Sequence, residues 1–94
     1  MPKLTRTRLA YHRRLYVAYL IDSGINTVPS ICEESSLSRR NVEDIIQNMS
    51  DYDIILSREG SRRSGYYSVE CWGFTDRDEV QRKIIQIQHL INQS

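Results

Sequence analysis

The fold prediction depends most on residues 37–49, Leu37-Ser38-Arg39-Arg40-Asn41-Val42-Glu43-Asp44-Ile45-Ile46-Gln47-Asn48-Met49. Ser38 is a strong helix N-cap residue, because its hydroxyl can accept a hydrogen bond from the free backbone amide of residue 40 or 41. The apolar residues that follow recur at helical spacing and form one stripe: Val42, Ile45, Ile46 and Met49. The pattern therefore predicts a helix over 39–50 with one buried face and one polar face.

A shorter helix precedes this one. Pro29 suits the first turn of a helix, where its missing N–H leaves no bond unmade, and the pattern predicts a helix over 29–35. An extended segment at 25–28 leads into it, and Ser36-Leu37 forms a tight connection to the next helix. Two short helices joined by about three residues form the helix-turn-helix pattern.

A hairpin is predicted at 54–72. Residues 54–58 and 66–72 are rich in β-branched and aromatic residues, and the turn between them is rich in Gly, Ser and Arg. The spacing of Gly60 and Gly65 does not make a phosphate-binding P-loop, since Tyr66-Tyr67 replaces the required Lys-Ser/Thr and no helix follows. Trp72 and Phe74 are expected to cover the core beside the hairpin.

Two outer helices complete the chain. The first is predicted over 5–23 with Gly24 as its stop, and its second half, residues 15–21, is apolar on all sides. The last is predicted over 75–92 with Thr75 as its N-cap. Its apolar residues form a heptad seam of Val80, Ile84, Ile87 and Ile91, which Ile85 and Leu90 widen.

These two apolar surfaces predict a homodimer, because a domain this small can hardly bury both. The expected interface residues are Leu15, Tyr16, Tyr19, Val80, Ile84, Ile87 and Ile91. The alternative is that the last helix folds back and buries its seam against the first helix of the same chain.

Residues 1–94 are therefore expected to form one mainly α domain, with a three-helix core, a small β-hairpin wing and an extra C-terminal helix. Residues 37–49, followed by Ile54-Ile55-Leu56-Ser57-Arg58, resemble the recognition helix and first wing strand of MarR-like winged helix-turn-helix regulators. The short chain is similar to small stand-alone winged-helix proteins of bacteria. The resemblance implies a DNA-binding transcriptional regulator. A cytoplasmic location is expected because no apolar signal-peptide core follows the basic residues 1–8. It also implies that DNA is read at Ser38, Arg39, Asn41, Glu43 and Asp44.

Helix geometry adds candidates on the same face. A step of about 100° per residue turns Arg40, Asp44 and Gln47 outward when the apolar stripe faces inward. Arginine can bind guanine through two hydrogen bonds, and Asn or Gln can bind adenine in the same way. Glu43 and Asp44 stand where the resembled family more often has neutral or basic residues. Each follows an arginine by four residues, so the pairs Arg39–Glu43 and Arg40–Asp44 are expected, and a plain solvated face is the alternative.

The hairpin contributes a second group of candidates: Arg58, Ser61, Arg62 and Arg63. As a wing, its tip would lie against the minor groove or the DNA backbone. A solvated turn without DNA contact is the alternative.

Composition excludes several classes of function. The net charge is only +1, but the charge is uneven, since residues 1–14 carry Lys3 and several arginines and no acid. The longest strongly apolar stretch, residues 15–21, is far shorter than the ~20 residues of a membrane span.

His12 and His89 have no companions at metal-ligand spacing, and we expect no metal, no cofactor and no catalytic residues. Cys32 and Cys71 are expected to be small buried side chains, with a disulfide or redox switch as the alternative.

Two other functions remain open from the sequence. The acidic middle of the chain favours a winged-helix adaptor that binds a protein rather than DNA. A regulator that senses a small-molecule effector would need a pocket, and Tyr16, Tyr19 and Trp72 are the candidates to line it.

Overall fold

A computed structural model describes residues 5–92, so that Lys3 of the predicted basic segment lies outside the described residues. The order of elements is helices, hairpin, helices: α1 (Arg6–Asp22), α2 (Val28–Ser35), α3 (Arg39–Gln47), a 3₁₀ turn (Met49–Tyr52), β1 (Ile55–Glu59), β2 (Tyr66–Cys71), α4 (Arg77–Arg82) and α5 (Ile84–Asn92). The two strands form an antiparallel hairpin. This is the mainly helical winged fold that the sequence predicts. No described helix is both long and apolar enough to cross a membrane.

The second half of α1 lies at the centre of the packing. Thr5 caps this helix by accepting from the Arg8 amide at 3.1 Å, and Gly24 follows its end with a positive φ of 105°. Residues 15–18, Leu20 and Ile21 are buried. Helices α2, α3, α4 and α5 and strand β2 all contact α1. The all-round apolar character of this segment is therefore explained by elements of the same chain.

The C-terminal helix differs from its prediction at two points. Its N-cap is Asp76 instead of Thr75, because the Asp76 carboxylate accepts from the amides of Asp78 and Glu79. It is also interrupted at Lys83, whose φ of −102° and ψ of 11° leave the helical region, so that α4 and α5 are separate helices.

The predicted seam is buried within the chain. Val80, Ile87 and Ile91 belong to the core that contains α1, and Ile84 is half-buried against it. The Gln88 side-chain amide also donates to the Tyr16 hydroxyl at 3.3 Å. This is the alternative in which the last helix folds back on the first. The seam therefore no longer argues for a dimer by itself, and the dimer stays a prediction.

Several apolar side chains are more exposed than predicted. Phe74 is 95% exposed and does not cover the core, whereas Trp72 is half-buried against the core as expected. Ile85 is 78% exposed and does not widen the seam, because one helical step past Ile84 turns it away from α1. Cys71 is exposed and Cys32 is half-buried, and both are free thiols.

The third helix ends earlier than predicted, at Gln47 instead of Ser50. The backbone amide and the side-chain amide of Asn48 both donate to the Asp44 carbonyl oxygen at 3.0 Å. The chain then winds into the tighter 3₁₀ turn, which keeps Met49 in the core.

The packing of the seam leads to a first prediction. Ile87→Ala should lower the free energy of unfolding by about 2–5 kcal/mol, because Ile87 is 5% exposed and its loss leaves a cavity against α1. Ile85→Ala is the matched control and should change it by less than about 0.5 kcal/mol. Urea unfolding followed by circular dichroism measures both. Equal effects of the two substitutions would contradict the packing of α5 on α1.

Candidate nucleic-acid interface

The polar face of α3 is exposed to solvent. Ser38 accepts from the Asn41 amide at 3.1 Å, which confirms its predicted role as N-cap. Val42 and Ile45 are buried and fix the rotation of the helix. The predicted DNA-reading residues on this helix are all exposed: Ser38, Arg39, Arg40, Asn41, Glu43, Asp44 and Gln47.

One of the two expected ion pairs on α3 forms. The Arg39 Nε donates to Glu43 Oε1 at 2.8 Å. This hydrogen bond and the charge of Glu43 raise the pKa of Arg39, so that Arg39 remains cationic. The pair Arg40–Asp44 is absent from the ion pairs of residues 5–92. The two arginines at the start of α3 therefore differ, since one is held by a carboxylate and the other is not.

The hairpin is a regular two-stranded wing. Ser57 pairs with Ser68 across the strands and their hydroxyl oxygens lie 2.7 Å apart. Near the tip the Tyr66 hydroxyl donates to Glu59 at 3.1 Å, which raises the pKa of Tyr66. The register is offset between Ile55 and Leu56, so that the base of the hairpin carries a bulge.

Arg58 and the tip arginines have different roles. The Arg58 guanidinium turns back and donates to the carbonyl oxygens of Ser61 and Arg62 at 3.4 and 3.5 Å. A Cβ at Gly65 would lie 2.8 Å from the backbone carbonyl oxygen of Ser61, which is too close for a side chain and explains why glycine occupies the position. Arg62 and Arg63 are exposed at the end of the wing. Arg58 thus supports the tip that presents the other two.

A cleft of about 700 Å³ separates the wing from the helix-turn-helix. The Tyr67 amide donates to the Asn26 carbonyl oxygen at 2.9 Å and ties β2 to the segment before α2. The residues that line the cleft come from α2, α3 and the hairpin: Thr27, Val28, Pro29, Arg39, Glu43, Arg58, Arg62, Arg63, Ser64, Gly65 and Tyr67. The fold therefore brings the arginine of α3 and those of the wing to one opening.

The remaining candidates are not in this cleft. Ser38, Arg40, Asn41, Asp44 and Gln47 lie on the open surface of α3, and Ser61 lies at the wing tip, where its hydroxyl accepts from the Ser64 amide.

The sequence interpretation missed the contribution of Thr27. Its hydroxyl accepts from the Ser30 amide and the Ser30 hydroxyl lies 3.1 Å from the Thr27 amide, so that the two residues form a capping box. A Thr with Pro two residues later and Ser three residues later is a readable signal for this N-terminus.

Of the three side chains predicted to line an effector pocket, only Tyr16 lines the small polar cavity beside Ser35 and Gln88. This cavity has a volume of about 280 Å³, and neither Tyr19 nor Trp72 lines it. In the part of the chain that the structure describes, no group of three His, Cys, Asp or Glu side chains could hold a metal ion.

Comparison with known proteins identifies the fold family. A family model described as winged helix-turn helix matches residues 6–91. The chain belongs to this winged helix-turn-helix family. A crystal structure of a DUF2131 family protein from Shewanella amazonensis is similar with a TM-score of 0.87 and 22% sequence identity, and the match covers 94% of each chain. The search of curated proteins gave no significant match. Winged helix-turn-helix domains are typically non-enzymatic DNA-binding folds, whereas the resemblance to the MarR-like subtype rests on sequence pattern alone.

The hydrogen bonds of Arg58 generate a second prediction. Arg58→Ala should loosen the tip and speed amide exchange at Ser64 by roughly tenfold, because it removes the donor that two tip carbonyls share. Arg62→Ala is the control, since its exposed side chain leaves these bonds in place. Hydrogen exchange measured by NMR separates the two variants. If the Ser64 amide exchanged as slowly in both variants as in the wild type, the support of the tip by Arg58 would be contradicted.

Proposed function

We propose that this winged helix-turn-helix protein is a DNA-binding transcriptional regulator of the cytoplasm. In this proposal α3 enters the major groove and the hairpin tip lies on the adjoining minor groove or backbone. The observation that supports it most is the shared cleft, where Arg39 of α3 and Arg58, Arg62 and Arg63 of the wing face one opening. Such a cluster is an electrostatic footprint for phosphates, even in a chain of net charge +1.

The contacts of α3 suggest how bases are read. Because the Arg39 Nε is bonded to Glu43, its two terminal amino groups remain free to meet the O6 and N7 atoms of a guanine end-on. Arg40 has no partner on α3 and can reach either a base or a phosphate. Asn41 and Gln47 have the side-chain amides that adenine recognition uses. Glu43 and Asp44 can accept from the amino group of cytosine.

The proposal includes a homodimer, because winged helix-turn-helix proteins that read two half-sites need two recognition helices about one DNA turn apart. The wing arginines and Ser61 would then contact the phosphate backbone of DNA, where they contribute more to affinity than to sequence preference.

A third prediction tests base reading. Arg39→Ala and Arg40→Ala should keep the fold and weaken specific binding by about 1–3 kcal/mol for whichever residue reads a base. Fluorescence anisotropy on a duplex selected from a random pool measures the affinity. Arg82→Ala, an exposed arginine of α4 outside the cleft, is the control and should bind as the wild type does. Unchanged affinity in both α3 variants would mean that neither arginine contacts a base.

A fourth prediction tests the wing. Arg62→Ala combined with Arg63→Ala should weaken binding to all duplexes alike and flatten the salt dependence by up to about two phosphate contacts. The measurement is the slope of log affinity against log salt concentration on specific and random DNA. A wild-type slope in the double variant would mean that the wing does not contact DNA. Absence of any binding by the wild type at low salt would instead favour the protein-binding adaptor.

A further inference from the structure

Glu43 is the one carboxylate that lines the cleft between α3 and the wing, within the part of the chain that the structure describes. The other charged side chains of the cleft are four arginines. An acid beside a phosphate-binding surface lowers the affinity for any duplex, because it repels the phosphates that the arginines attract. A surface that served affinity alone would have no acid here, so the contacts of Glu43 indicate a different role.

The Glu43 carboxylate is bonded to one of the four arginines. Its Oε1 accepts from the Arg39 Nε at 2.8 Å. The wing arginines line the same cleft, but none of them pairs with Glu43 among the ion pairs of residues 5–92. A spacing of four places Glu43 one turn after Arg39 on α3, so that the pair forms without help from the wing. Glu43 therefore acts on Arg39 in particular.

The bond leaves the outer end of Arg39 free to read a base. A guanidinium has five N–H donors, and Glu43 takes the one at Nε. The two terminal nitrogens have no hydrogen-bond partner among residues 5–92. An arginine loses rotamer freedom when it binds, and a partner that already fixes its plane lowers that loss. Glu43 therefore prepares Arg39 for the two acceptor atoms of a guanine edge.

The same bond reduces what Arg39 contributes to other sequences. Where the base is not guanine, an unheld arginine could turn to a phosphate and still add to affinity. An arginine that is paired with a carboxylate brings little net charge to that phosphate, and it would have to break the pair to move away. The pair of Arg39 and Glu43 therefore favours one base at the expense of binding to the backbone.

We propose that Glu43 sets the sequence preference of this interface, because it orients Arg39 toward guanine and weakens binding to other sequences. This inference rests on the proposed DNA binding. Glu43 is a positioning residue in this role, since it acts through Arg39. The side chains of Arg39 and Glu43 are 74% and 52% exposed, and an exposed ion pair contributes little to folding. Substitutions at Glu43 should therefore leave the fold intact.

Anisotropy titrations of Glu43→Ala test the proposal. The guanine that Arg39 reads is the position of the selected duplex at which Arg39→Ala loses its base preference. At that position Glu43→Ala should lower the preference for guanine over the other bases by about tenfold. Its affinity for a random duplex should instead rise severalfold, because a negative charge is lost and Arg39 is released. The salt dependence on random DNA should become steeper by about one phosphate contact.

Two further variants separate the hydrogen bond from the charge. Glu43→Gln keeps an oxygen that can accept from the Arg39 Nε, so it should keep most of the guanine preference while its affinity for random DNA rises. Glu33→Ala is the matched control, because Glu33 is an exposed acid of the neighbouring helix α2 and does not line the cleft. It should leave the base preference as in the wild type. Circular dichroism spectra that match the wild type must accompany each variant.

A double substitution shows whether Glu43 acts through Arg39. In the Arg39→Ala protein, the additional loss of Glu43 should change no preference at that position. If Glu43→Ala altered the preference equally with and without Arg39, Glu43 would read the base itself and the proposal would be overturned. An unchanged guanine preference in Glu43→Ala would also overturn it, as would an Arg39→Ala protein that keeps every base preference. These three results would leave the proposed DNA binding intact, whereas a wild type that binds no duplex at low salt would overturn both proposals.

Discussion

The burial of residues 15–21 of α1 is the constraint on which the rest of the structure depends. Four helices and one strand contact α1, and the buried residues of α1 all lie in this segment. Val17 and Ala18 are completely buried, so a polar side chain at either position would have no contact with water. A charged residue at either position would be buried without water, which is strongly destabilising.

The same constraint positions the proposed DNA cleft. Helix α3 and strand β2 both pack on α1, and the bond from the Tyr67 amide to Asn26 fixes the hairpin against the start of α2. The distance between Arg39 and the wing arginines is therefore set by elements that share one core. A site built in this way needs little rearrangement of backbone to meet a rigid duplex, which lowers the cost of association.

The features predicted correctly from the sequence depend on local interactions. The cap at Ser38, the proline at the start of α2 and the glycine after α1 each act within one turn of chain. The pair Arg39–Glu43 follows from a spacing of four in one helix. These signals are properties of a few adjacent residues, and tertiary packing did not override them.

The features that the sequence left out or assigned wrongly depend on distant contacts. The spacing of Val80, Ile87 and Ile91 indicates an apolar helix face, but it does not indicate whether α1 of the same chain or a second copy covers that face. The exposure of Phe74 depends on the fit of Gly73 against Asp53, about twenty residues away in the chain. Arg58 stays a predicted DNA contact because its charge is visible in the sequence, whereas its bonds to the tip carbonyl oxygens are not visible there. The cleft depends likewise on the meeting of three separate elements.

The near-neutral charge of the chain links the proposed DNA binding to the proposed homodimer. The cleft contains four arginines and one glutamate, so one copy can neutralise only a few phosphates. Because the salt-dependent part of affinity grows with the number of phosphates neutralised, a single copy would bind DNA weakly at physiological salt. Two copies joined in the proposed homodimer would double these contacts, and the second cleft would bind at a raised effective concentration. A chain with this charge therefore gains more from pairing than a strongly basic one, and its affinity for DNA should depend on protein concentration wherever the dimer is only partly formed.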